Sequence, residues 1–117
     1  MLACSRIGAS DLYKDISPTE FAQQRDAGES WQLVDVRETW EIEIASIEQS
    51  IHIPLAEIPT RQSELDTGIP VAVLCHSGAR SARVADFLAG HGFSTVANIS
   101  GGIDAWARQV DRSLPRY

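Results

Sequence analysis

Cysteine is scarce. Cys4 and Cys75 are the only two in 117 residues. They form no CxxC pair, so neither a disulfide-stapled scaffold nor a cysteine-rich metal site is expected. Their low number fits a reducing compartment, and a cytoplasmic location is expected. No apolar stretch approaches 18 residues, which argues against a membrane-spanning helix, and no membrane partner is expected. Met1-Leu2-Ala3-Cys4 lacks the charged and apolar segments that precede a lipoprotein cleavage site, and reads as a plain start. Basic residues are in the minority, 10 Lys+Arg against 16 Asp+Glu, for a formal net charge of -6. Nucleic-acid binding through a broad basic surface is therefore not expected. An anionic small ligand would need donors gathered locally. Internal repeats, low-complexity tracts and linkers are absent as well.

What remains has ordinary globular proportions, 44% hydrophobic and 22% charged residues. One domain is expected over residues 10–112, with tails at 1–9 and 113–117. Ser17-Pro18-Thr19-Glu20 opens a helix over 18–27, with Ser17 as cap, Pro18 at the first position and Gly28 as the stop. Asp15-Ile16 before it reads as a short strand. Strands are also expected at 31–36, 50–54, 70–75 and 93–99, and helices at 38–44, 56–65, 81–91 and 103–110. The run Pro70-Val71-Ala72-Val73-Leu74-Cys75 is the strongest strand signal, its continuous apolarity implying burial on both faces of a parallel sheet. Alternating strands and helices imply an α/β layer structure.

In such sheets ligands bind beyond the carboxyl ends of the strands. Cys75 ends the best strand and is followed by His76-Ser77-Gly78-Ala79-Arg80 and a helix start. Turn amides and a helix N-terminus there converge on one point. Gly78 permits a tight loop, Ser77 and Ser81 add hydroxyl donors, and Arg80 adds a forked cation suited to an oxyanion. This setting favours thiolate over thiol, and the same donors stabilise negative charge on a group attached to the sulfur. Cys75 is thus a candidate covalent nucleophile that holds an anionic group between two half-reactions. The plain alternative is a small core residue ending a strand.

Cys75-His76-Ser77-Gly78-Ala79-Arg80-Ser81 resembles the active-site loop of the rhodanese family. Leu33-Val34-Asp35-Val36-Arg37-Glu38 with Trp40-Glu41, then Ile51-His52-Ile53-Pro54-Leu55, then Asn98-Ile99-Ser100-Gly101-Gly102-Ile103-Asp104-Ala105-Trp106 are similar to further motifs of that family, in order, over about residues 16–108. The resemblance implies a rhodanese-like α/β domain, a five-stranded, mainly parallel sheet with helices on both faces. It implies a sulfurtransferase without cofactor or metal. Sulfane sulfur would pass from a small anionic donor such as thiosulfate, or from a protein persulfide, through a Cys75 persulfide to cyanide, a thiol or a protein acceptor. By position, Cys75 is the sulfur carrier, the backbone of His76 to Arg80 is the cradle, Arg80 closes it, and Asp35 and Arg37 support it from a neighbouring strand end, with Ser81 behind.

Four residues separate Cys75 from Arg80; the resemblance implies one more in related phosphatases, and on that ground the shorter loop favours sulfur transfer over phosphatase or arsenate reductase chemistry. A module for sulfur relay or docking without turnover is the other rival. His76 stands where the family often has a basic residue, which favours a protein persulfide over thiosulfate as donor. Ala45-Ser46-Ile47 and Glu48-Gln49-Ser50 also depart from the family pattern, and altered packing is expected there. Trp40 and Trp106 are read as core or near-core aromatics, with an apolar lip of the site as the alternative. Asp35 is read as a hydrogen-bond anchor for the loop, Arg37 as either a salt bridge or a substrate contact, and His52 and His91 as structural or exposed. Glu38, Glu41, Glu43 and Glu48 are read as a solvated face, or else a dock for a basic partner. Cys4 is an incidental tail thiol, or else a resolving one.

Overall fold

The computed structural model describes residues 13–117. Cys4 and the expected N-terminal tail lie outside the described residues. Five strands form one sheet: β1 (Lys14–Ile16), β2 (Gln32–Asp35), β3 (Ser50–His52), β4 (Val71–Leu74) and β5 (Val96–Ile99). Their order is β1-β5-β4-β2-β3, and all four pairings are parallel. The helices are α1 (Pro18–Asp26), α2 (Thr39–Ile44), α3 (Ile58–Arg61), α4 (Ala79–Ala89) and α5 (Gly102–Gln109).

Central β4 shows why an unbroken apolar run was needed. Val71, Val73 and Cys75 face one core layer with Val84, Ala85 and Leu88 of α4. Ala72 and Leu74 face the opposite layer with Phe21 of α1 and Ile103 and Trp106 of α5. Strand side chains alternate, so a strand covered on both faces must be apolar at every position. Trp106 is buried, and Phe21 packs between Trp31 and Trp106 with ring centroids 5.4 and 6.0 Å away. Leu88 is wholly buried under β4 and β5. Leu88→Ala is expected to lower unfolding free energy by about 2–5 kcal/mol, read from a urea transition, because the rigid sheet cannot close over the lost volume.

α1 begins as the sequence dictates, Ser17 Oγ accepting from the Glu20 amide at 3.0 Å. The expected single helix over 56–65 is instead three short pieces, a 3-10 turn at Leu55–Glu57, α3, and a 3-10 turn at Gln62–Glu64. Pro59 has no amide to return to the Leu55 carbonyl, so the turn before it tightens, with the Ile58 amide bonding Leu55. α4 starts at Ala79, two residues earlier than expected, and β5 starts at Val96, three residues later.

Trp40 is not a core residue; it is 58% exposed. Glu41 of the short α2 and Ala45 just beyond its end are buried. Trp40 and Ile44 share the outer face.

Candidate active site

Cys75 lies one residue beyond β4 and is 1% exposed. The chain then turns through Gly78, whose φ of 111° is a left-handed conformation natural to glycine, and enters α4 directly. This turn points the Gly78 amide at Cys75 Sγ, 3.0 Å away. Among the described residues, the amides of His76 and Ser77 have no acceptor, and those of Ala79 and Arg80 open α4, where no preceding turn supplies one. Ser81, wholly buried, brings its hydroxyl within 3.3 Å of Sγ. Ser77 and Ala79 are exposed.

The carbonyls of this segment face elsewhere, and α5 is the reason. Its first amides bond them: Ile103 N–H to Cys75 O at 2.8 Å and Asp104 N–H to His76 O at 3.1 Å. Gly102, with φ 61°, permits that approach, since a Cβ there would lie 2.4 Å from both carbonyl oxygens. One helix N-terminus therefore takes the carbonyls of residues 75 and 76, while Gly78, the residue that caps α4, aims its amide at the sulfur.

Arg80 does not lie free over the loop. Its guanidinium grips Glu41 with two hydrogen bonds, 2.7 and 2.8 Å. Glu41 is thus a buried ion-pair partner, and the reading of all four glutamates as a solvated face fails at this position. The first turn of α2 turns Glu41 inward, where its Oε1 also accepts from the Glu38 amide at 3.0 Å. The Arg80 hydrogen bonds outweigh the cost of burial and hold the Glu41 carboxyl at a pKa of about 2, below the ordinary range. Arg80 is raised by the same pair, against desolvation. A depressed carboxylate contributes stability in full above its ordinary pKa and loses it as pH falls toward the folded value. The stability gap between the wild type and Glu41→Gln is therefore expected to shrink as pH is lowered from about 5 to 2 in urea titrations, the carboxyl titrating near its folded pKa of about 2.

Asp35 and Arg37 are both fully buried. Asp35 takes Arg37 Nε at 2.9 Å, Nη2 at 2.7 Å and the Arg37 amide at 3.1 Å. The remaining guanidinium hydrogens go to the Glu41 and Ala45 carbonyls at 3.3 and 2.8 Å and to Tyr117 Oη at 2.9 Å. Arg37 is thus an internal ion pair, and Asp35 anchors Arg37 rather than the loop itself. Burial alone would lower the Arg37 pKa; the hydrogen bonds of Asp35 and Tyr117 reverse that, and the net shift is upward. His52 Nε2 donates to the Arg37 carbonyl at 2.7 Å, a structural bond. His91 is exposed and stacked on Phe87.

Three neighbours of the site were not assigned roles from the sequence. Glu41 is one. Asn98, buried in β5, is the second; its Oδ1 accepts from the Ser81 hydroxyl and its Nδ2 donates to Asp15 at 3.2 Å. The polar residue inside Val-Ala-Asn-Ile was its signal. Tyr117 is the third. Residues 113–117, expected as a tail, return so that its ring stacks on His76 with centroids 4.2 Å apart. Its hydroxyl donates to Glu41 at 2.7 Å. Burial, with Glu41 opposing Arg37, pushes that phenol up to about 12, so the donor proton is retained through the neutral range.

The family model described as "Rhodanese-like domain" matches residues 17–109. The chain belongs to the rhodanese-like domain family. A sulfurtransferase of Allochromatium vinosum is 35% identical over 97 residues, 83% of this chain and 91% of that protein. The Bacillus subtilis protein YrkF is 37% identical over 97 residues, 83% of this chain, and the chain spans 52% of that relative's length. The crystal structure of a rhodanese-related protein from Thermoplasma volcanium superposes with a TM-score of 0.74 at 31% identity, covering 88% of this chain and 96% of that one. The all-parallel five-stranded sheet with helices on both faces is the rhodanese-like fold expected from the motifs. Among the described residues, no helix is long and apolar enough to cross a membrane.

Proposed function

We propose that this rhodanese-like domain moves sulfane sulfur through a persulfide on Cys75. The observation that carries the reading is the amide-rich turn around a buried sulfur: Gly78 N–H on Sγ, and the His76 and Ser77 amides without a protein acceptor. The Cys75 thiolate attacks the outer sulfur of a donor. The donor's S–S bond breaks, and its leaving group departs with the electron pair, as sulfite from thiosulfate or as a thiolate from a persulfide. The new terminal sulfur carries the negative charge, which preorganised amides stabilise without reorganisation. An acceptor thiolate or cyanide then attacks that sulfur and Cys75 leaves as thiolate, so no outside oxidant or reductant is required. In this reading His76 to Arg80 bind the transferred sulfur through their backbone. Ser81 holds the rear of the loop, and Asp35 and Arg37 hold α2 and thereby Glu41.

Charge favours a protein or thiol persulfide over thiosulfate as donor. The Arg80 cation is compensated by Glu41. A dianion finds no surplus charge on that arginine, whereas a persulfide chain can lie along the exposed Trp40 edge beside Tyr117. That same rim favours relay from one protein to another over rapid turnover of small donors. The test is peptide-resolved mass after incubation with thiosulfate or glutathione persulfide, followed by cyanide or a dithiol. The expected result is gain and then loss of one sulfur on the Cys75 peptide, faster with the persulfide. No gain with either donor would sink the assignment.

A further inference from the structure

Tyr117 reaches both ends of the loop that follows Cys75. Its ring lies on His76, the planes only 13° apart. Its hydroxyl donates to Glu41 Oε2, and Glu41 in turn holds Arg80 by two hydrogen bonds. The loop between is Ser77-Gly78-Ala79, whose small side chains give it little packing of its own. The returning segment is itself anchored. Leu114 packs against the core layer of α1 and α5, and Arg116 Nε donates to Asp104 Oδ1 at 3.1 Å, the residue whose amide fixes the His76 carbonyl.

We propose that Tyr117 is a positioning residue that staples the 76–80 loop, fixing the separation of its two ends and keeping the loop closed around Cys75. The kinetic consequence rests on the sulfur-transfer reading; the closure of the loop does not. Tyr117 touches residue 76 directly and residue 80 through Glu41, so its loss removes one restraint at each end. Amides displaced by a fraction of an ångström no longer meet the charge on the transferred sulfur, and losses of this kind reach tenfold and beyond. A loop less restrained at both ends also opens more often and admits reagents to a sulfur that is otherwise buried.

The experiment uses Tyr117→Ala, Tyr117→Phe, His76→Ala and the double variant Tyr117→Ala/His76→Ala. Two rates are followed on the Cys75 peptide by mass: single-turnover sulfur uptake from glutathione persulfide, and alkylation by iodoacetamide. Tyr117→Ala is expected to take up sulfur about tenfold more slowly. Its alkylation is expected to be about threefold faster at a temperature well below unfolding, a rise larger than the several-degree fall in melting temperature from the lost Arg37 acceptor accounts for. Tyr117→Phe keeps the stack, loses the Glu41 arm, and falls between. Adding Tyr117→Ala to His76→Ala should change alkylation less than it does alone, because the stack they share is already lost and only the Glu41 arm remains to remove. Unchanged alkylation in Tyr117→Ala, full additivity in the double variant, or an alkylation rise that merely follows a falling melting temperature each overturns the staple. If the wild type takes up no sulfur, the sulfur-transfer reading falls, and the alkylation series still decides the staple.

Discussion

Cys75→Ala is expected to reduce sulfur transfer to the uncatalysed background with every donor and acceptor pair. The reason lies in the order of bonds. The Gly78 amide is aimed at one atom, and the loop stabilises charge only on what that atom carries. Without Sγ no covalent intermediate links the two half-reactions, and donor and acceptor would have to meet directly. The variant should still fold. Cys75 belongs to the core layer of α4, and loss of a single buried atom costs about 1 kcal/mol. Cys75→Ser gives a second reading, because its hydroxyl fills more of the space and accepts from the same amide. Peptide-resolved mass separates this result from any sulfur taken up by Cys4. Residual transfer above a few per cent in both variants would place the chemistry elsewhere.

The second large effect is on stability. Asp35→Ala leaves the Arg37 guanidinium fully buried with the Glu41 and Ala45 carbonyls and the Tyr117 hydroxyl, but without a counter-charge. Removing one partner of such a pair costs about 3–5 kcal/mol, a large share of the roughly 5–15 kcal/mol that holds a domain together. Guanidinium at working pH cannot escape by losing its proton. Urea unfolding should show the midpoint fall sharply with the slope unchanged. Replacing both partners, as Asp35→Leu with Arg37→Met, is expected to cost far less, because the penalty arises from the stranded charge and not from the lost attraction. Equal losses in the single and double variants would refute that account.

The parts of the molecule that local chemistry dictates were readable from residues alone. Two-sided burial of β4 follows from its unbroken apolar run, and the start of α1 from Ser17 and Pro18. Near the cysteine, the Gly78 amide and the Ser81 hydroxyl reach Sγ and Gly102 lets α5 reach the loop, while Asp35 and Arg37 pair beneath α2. Partners chosen by tertiary contact were not readable. One inward glutamate among four carries no local mark, because the six-residue α2 has too few turns for a periodic pattern. Trp40 was misplaced for the same reason. Tyr117 follows eight residues after α5 with no regular element between, so no pattern points it at His76. Pro59 was visible, and its missing amide accounts for the broken 56–65 helix.

The strand order has a consequence for how the chain is made. Among the described residues, β1 is translated before the other four strands, yet it pairs with β5 alone, the last of the five to be made. Asp15 meets Asn98, and Ser100 closes on the Ile16 carbonyl, only at that final stage. Synthesis therefore yields the Cys75 sulfur well before its surroundings are complete, and a message cut short after α4 would release a thiol with neither Asn98 behind it nor α5 beneath its loop.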